Sequence, residues 1–162
     1  MTLQKHYVAT SYVYDQETER FFLLFHRKLG KWLSPGGHLH EGEEPHQGAL
    51  RELLEETGLS GRIIDVGTTL DVHMQGVAQL PAPFCILSEI IPPGEKKDKE
   101  HIHIDFVYIV AIDHSESLHL DSVEAVQAGW FSLAEIDCIE TFDNVRQVCH
   151  AIHALHHMTA NL

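Results

Sequence analysis

The chain has 162 residues, 44% of them hydrophobic, which suits one folded domain with a proper core and argues against disorder. No apolar run reaches the roughly 18 residues of a membrane span, and the opening MTLQKHYVAT lacks a secretory apolar core, so a cytoplasmic location is expected. A formal net charge of −13 argues against holding long nucleic acid through its phosphates, while a small phosphorylated substrate stays open if cations mediate.

Taken in order, residues 6–14 (HYVATSYVY) and 20–27 (RFFLLFHR) read as two strands joined by a polar turn at 15–18. The nearly continuous apolar run 21–25 predicts a strand buried on both faces. Residues 28–30 turn the chain toward Trp32 and the pair Gly36-Gly37, read as a turn whose bare backbone lets a ligand approach closely. A short helix follows. Pro45 suits its first position and Gly58 the left-handed residue past its end. At 100° per residue, Ala49, Leu50, Leu53, Leu54 and Thr57 fall on an arc expected to face the core. Glu52, Glu55 and Glu56 are read as the opposite arc, at spacings that make their side chains converge.

Residues 62–71 and 83–91 read as strands, with a less regular stretch between them. Pro92-Pro93-Gly94 and the charged run 95–100 read as a solvated hairpin tip, with a lysine-bearing lid as the alternative. Residues 101–112 (HIHIDFVYIVAI) form a strand entering the core. Residues 113–127 are a long polar connection, and 129–131 a short last strand. Ser132 and Glu135 have the spacing of a capping box. Residues 141–158 form the second long helix, with Phe142, Val145, Val148, Cys149, Ile152 and Leu155 as its apolar stripe. Its histidines, His150, His153, His156 and His157, read as a solvated face with no carboxylate beside them. Cys85, Cys138 and Cys149 lack a CxxC pair and fit buried thiols in a reducing compartment. The expected architecture is α/β: a mixed sheet with helices on either side.

The helix and its approach carry the chemistry. Like charges at i, i+3 and i+4 repel, and a solvated acidic face is the plain alternative. Behind a glycine pair, however, clustered carboxylates make the hard-oxygen environment that Mg²⁺ or Mn²⁺ prefers. Gly37, Glu43, Arg51, Glu52, Leu53, Glu55, Glu56, Gly58 and Leu59 match every defined position of the pattern G-x5-E-x7-R-E-U-x-E-E-x-G-U. The stretch 37–59 thus resembles the Nudix box, and WLSPGGH at 32–38 is similar to the usual approach to it.

That resemblance implies a Nudix-type α/β/α sandwich spanning residues 1–162 as a single hydrolase domain. It also implies metal-dependent cleavage of a phosphoanhydride (pyrophosphate) bond in a nucleoside diphosphate linked to another group. The cofactor implied is Mg²⁺ (or Mn²⁺). Metal binding would fall to Glu52, Glu55 and Glu56, with the Gly37 carbonyl and Glu43 completing the site and Glu52 serving as base. Arg51 is counted with the catalytic set, holding a glutamate by a bidentate pair. Outside the box, the connection 113–127 offers Glu116, Asp121 and Glu124. Glu124 is chosen as a further metal ligand, because its place six residues before Trp130 is similar to that of a loop glutamate in the family's triphosphatase branch.

Arg27, Trp32, His103 and Asp105 are candidate substrate contacts, with core packing the alternative for Trp32 and a polar strand face for the other two. A second metal site on His101, His103 and Asp105 is the less favoured reading. The proline marker of ADP-ribose hydrolases is absent, since Met74-Gln75-Gly76 occupies that region. The expected partner is a small nucleotide or nucleotide-like diphosphate, with no long nucleic acid and no membrane, and a homodimer is left open. The rivals are a house-cleaning nucleoside triphosphate pyrophosphatase and a non-catalytic nucleotide-sensing domain.

Overall fold

The computed structural model describes residues 2–67, 74–94, 99–113 and 116–159. Three central strands are β1 (Gln4–Asp15), β2 (Arg20–His26) and β7 (His101–Ile112). Around them lie the shorter β3 (Lys31–Leu33), β4 (Gly36–His38), β5 (Gly61–Ile63), β6 (Cys85–Ile91) and β8 (Ala125–Phe131). The helices are α1 (Pro45–Thr57), α2 (Leu133–Ile136) and α3 (Asp143–Thr159). β1 pairs antiparallel with β2 and β4 and parallel with β7, from Gln4 opposite His101 to Val13 opposite Val110. The sheet is therefore mixed. β7 is flanked on its other edge by β6 and β5, and β2 by β8.

Strand alternation sends neighbouring side chains to opposite faces, and each face has its own core. α1 covers Ala9, Val13, Phe22, Leu24 and Val110 with Ala49 and Leu53. α3 covers Tyr12, Phe21, Leu23 and Val107 with Val148, Cys149 and Ile152. Helix, sheet and helix are thus stacked as the sequence predicts. Phe21 to Leu24 are all buried because β2 faces a helix layer on both sides. Among the described residues, no helix is long and apolar enough to cross a membrane.

Several local expectations need correcting. The Gly36-Gly37 pair is no turn but strand β4, paired with Ala9 and Thr10. Glycine is needed there because a Cβ on Gly36 would lie 2.7 Å from the Ala9 carbonyl oxygen. On α1, Leu54 is exposed and Glu56 buried, the reverse of the arc assignment. Glu56 follows Ala49 by seven residues, which is only about 20° short of two full turns, so it shares the face of Ala49. The last strand begins at Ala125, earlier than expected, and Phe142 precedes α3 and is largely exposed. Cys138 is exposed, so only Cys149 of the three thiols is buried. The α3 histidines do meet carboxylates: His150 lies 2.8 Å from Asp137 and His157 3.1 Å from Glu19. Of the expected strand 62–71, only residues 62–63 are strand, within β5, while 68–71 lie outside the described residues. β6 and β7 pair antiparallel as expected, while residues 95–98 of the charged run lie outside the described residues.

Candidate active site

The box helix is closed at its C-terminus and pinned to the sheet along its length. The Gly58 N–H, at φ 70°, bonds the Leu54 carbonyl at 2.8 Å and closes the C-terminus. The buried Ser11 hydroxyl donates to the Ala49 carbonyl at 2.8 Å, pinning α1 to β1. This contact brings α1 down on β4, and two glycines make the approach possible. The Gly36 N–H donates to Glu56 Oε2 at 3.0 Å. A Cβ on Gly37 would stand 2.5 Å from Glu52 Oε1, so the bare glycine leaves a small cradle beside that carboxylate.

Arg51 is the hub of the outer side. Its Nε and Nη2 clasp both oxygens of Glu43 at 2.8 and 3.0 Å. Nη1 donates to Glu52 Oε1 at 2.8 Å and to Glu55 Oε2 at 2.9 Å, and Nη2 also reaches the His38 carbonyl at 2.9 Å. The guanidinium holds Glu43 down at about 2, well below the ordinary carboxylate range. With all its donors committed inside the box, Arg51 is placed to shape the carboxylate cluster. Glu52 behaves differently: burial pushes its pKa up, against the pull of Arg51.

The connection before β8 supplies the remaining wall. Backbone bonds from His119 N–H to the Thr57 carbonyl (2.8 Å) and from Asp121 N–H to the Glu56 carbonyl (2.9 Å) lay it across the end of α1. From the other side, the Arg27 N–H bonds the Glu124 carbonyl at 2.8 Å and its Nε the Ser122 carbonyl at 3.0 Å. Held this way, Glu124 meets the buried Glu56 carboxyl in a hydrogen bond. Burial first, and then Glu124, push Glu56 up to about 9. Glu116 and Asp121 are spent elsewhere, on the N–H groups of Ser60 and Val123.

Glu43, Arg51, Glu52, Glu55, Glu56, Gly37 and Glu124 are therefore gathered along one side of α1. The other candidates are not. Arg27 gives its Nε to the Ser122 carbonyl and so serves to hold the connection that carries Glu124. Trp32 packs edge-on against Phe25 and Phe131 in the core on the α3 side. Asp105 is buried and accepts from the Thr10 hydroxyl at 2.9 Å on both oxygens. Thr10 neighbours Ser11, which bonds α1, so Thr10, Asp105 and the in-register pair His6 and His103 face away from α1. What sequence reasoning missed was the anchoring role of Ser11 and the binding of Glu56 to Gly36. Both depend on where α1 lands on the sheet, which no local pattern encodes.

The donor set suits a divalent cation. Buried Glu56 is paired with a second carboxylate, a juxtaposition that a shared cation would relieve, and the Gly37 cradle keeps the space beside Glu52 clear. A Mg²⁺-sized ion prefers such oxygens. The folded pKa of Glu56 lies above the ordinary 4.5, so its contribution is fully present below about pH 4.5 and is lost as pH rises through about 9. In chelator, the melting temperature should fall across that window. With Mg²⁺ the fall should be reversed, because the cation favours the ionised carboxylates. Thermal melts at several pH values with and without Mg²⁺ check this, and a Mg²⁺ stabilisation that does not grow with pH would contradict it.

Comparison with known proteins agrees with this geometry. The family model for the NUDIX domain matches residues 4–148. A curated relative, a probable DHNTP pyrophosphohydrolase of Lactococcus lactis subsp. cremoris, is 28% identical over 109 residues, 67% of this chain and 55% of its own. The chain thus spans about half the length of that relative. A NUDIX-family hydrolase from Clostridium perfringens superposes with a TM-score of 0.73 at 22% identity, covering 94% of this chain and 99% of that one. The Escherichia coli dihydroneopterin triphosphate pyrophosphohydrolase follows the same fold at TM-score 0.62 and 17% identity, covering 93% and 97%. A box intact at every defined position, a helix–sheet–helix fold and a family match over most of its length converge: the chain belongs to the NUDIX domain family.

Proposed function

We propose that the protein is a Mg²⁺- or Mn²⁺-dependent hydrolase of a phosphoanhydride bond in a small nucleotide or nucleotide-like substrate. The observation that carries this reading is the gathering of Glu52, Glu56 and Glu124 beside the Gly36-Gly37 backbone. A cation held there supplies the positive charge that draws phosphate oxygens to an acidic protein and acidifies a water. Glu56 and Glu124 are assigned to hold it, with Glu52, Glu55 and the Gly37 carbonyl completing the set. Glu52 has Oε1 on Arg51, so Oε2 is the atom assigned to take the proton from the attacking water. Arg51 and Glu43 keep that carboxylate in place. A purely nucleotide-sensing domain needs no such proton acceptor.

Between a nucleoside diphosphate linked to another group and a triphosphate, the relatives named for dihydroneopterin triphosphate favour testing the triphosphate first. Incubation with Mg²⁺ or Mn²⁺ should release pyrophosphate or phosphate from a triphosphate, or two phosphorylated fragments from a dinucleotide or nucleotide sugar, so a panel of all three is read by product chromatography. Turnover that survives excess chelator would overturn the proposal.

The role of Glu124 has its own test. Glu124→Gln should lower kcat and weaken Mg²⁺ stabilisation, and it should raise the melting temperature in chelator by removing the paired carboxylate. Glu116→Gln, which touches only the Ser60 N–H, should do none of this. Equal effects from the two variants would return Glu124 to the solvent.

A further inference from the structure

Four imidazoles meet on the sheet face turned away from α1, a cluster that the carboxylate site does not use. His6 of β1 and His103 of β7 are direct partners in the parallel ladder. His38 of β4 lies opposite Val8, one pleat along from His6 on the same face. His101 precedes His103 by two residues and stacks on His6, with ring centroids 4.5 Å apart. Three strands distant in sequence thus deliver histidines to one point.

We infer that His6, His38 and His103 form a site for a borderline divalent transition-metal ion of the Zn²⁺ class, distinct from the carboxylate site. One ring nitrogen from each lies within 4.8 Å of the others. His6 Nδ1 and His38 Nε2 are 3.3 Å apart, and His101 Nε2 and His103 Nε2 3.1 Å. For a tetrahedral ion with Zn–N near 2.0–2.1 Å, the ligand–ligand edge is about 3.3–3.4 Å, so the rings already stand close to coordinating distance. Imidazole nitrogen is a donor that Zn²⁺, Ni²⁺ and Cu²⁺ accept and Mg²⁺ does not favour.

The surroundings orient the rings. The Lys99 carbonyl oxygen lies 2.8 Å from His101 Nδ1, so that nitrogen carries the proton and Nε2 turns a lone pair toward His103. Among the described residues, two acids share this face: Glu89 of β6, opposite His103, accepts from the Asn144 amide at 2.6 Å, and Asp105 accepts from the Thr10 hydroxyl. A shared proton accounts for one pair of neutral rings, whereas one cation accounts for the convergence of three. Because His38 follows Gly37 directly, the ion would tie β4 to β1 and β7 at the very start of the box.

The test uses the full chain stripped with chelator and returned to buffer with excess Mg²⁺, which keeps the carboxylates occupied. Titration with Zn²⁺, followed by calorimetry and metal analysis, should show a single tight equivalent and a higher melting temperature. Co²⁺ in its place should show the visible absorption of a tetrahedral nitrogen site. His6→Ala and His103→Ala should each weaken Zn²⁺ binding by at least about tenfold, no less than the loss caused by second-shell changes at metal sites. His157→Ala should leave it unchanged, although His157 belongs to the separate group with Glu19 and His153 on the α3 surface. If His103→Ala does not fold, His6→Gln replaces it. Zn²⁺ uptake no greater than that of a His6→Ala/His103→Ala double variant would show an imidazole hydrogen-bond cluster only and overturn the inference. So would a loss matched by His157→Ala. Neither readout depends on hydrolysis, so the proposed activity can fail without touching this result.

Discussion

Glu52→Gln should lower kcat by about 10²- to 10⁴-fold, the usual worth of a positioned general base. Glutamine keeps an oxygen that can accept from Arg51 Nη1, so the side chain should stay where the carboxylate was. What it loses is the ability to take a proton. The melting temperature in chelator should change little or rise, because burial already pushes the Glu52 pKa up and a neutral group there is easier to bury. Steady-state kinetics on the best substrate of the panel, with a thermal melt alongside, decides it. Near-normal turnover would move the base to another residue and leave Glu52 as a ligand at most.

The largest stability effect is expected one residue further on. Leu53 is fully buried beneath α1, packed with Ala9, Val13, Ala49 and Val110. Its Cδ2 stands 2.7 Å from where a Cβ on Gly61 would be, so helix and β5 are in close contact there. Leu53→Ala should cost about 2–5 kcal/mol, the range for a buried leucine whose cavity cannot fully collapse. For a chain of this size that lowers the melting temperature by roughly 4–20 °C. Denaturant melts measure the loss directly. Below the transition, kcat should stay within a few-fold of the unaltered protein. The two variants thus separate faces of one helix: Glu52 carries chemistry with little stability, Leu53 stability with little chemistry. A Leu53→Ala protein that melts normally but turns over slowly would mean the core assignment of α1 is wrong.

The contrast also marks where sequence reading reaches its limit. Residue spacing alone predicted the helix from Pro45, its glycine stop at Gly58, the strands of β1, β2 and β7, and the α3 stripe. These follow from φ preferences, capping and apolar periods, which act over a few residues. The box, too, was legible, because its nine defined positions lie within one short stretch.

The tertiary structure decided everything that depends on docking. Whether Glu56 is solvent-facing or buried turns on where α1 meets the sheet, and the Ser11 bond sets that point. Whether Glu124 reaches the cluster depends on a connection pinned at one end by α1 and at the other by Arg27, residues far from it in sequence. The gathering of His6, His38 and His103 depends on strand order, since β1 must lie between β4 and β7 for their rings to meet. Local rules say which faces a segment has. Only the packing of segments on one another fixes which charges must share a buried space, and there the chemistry is set.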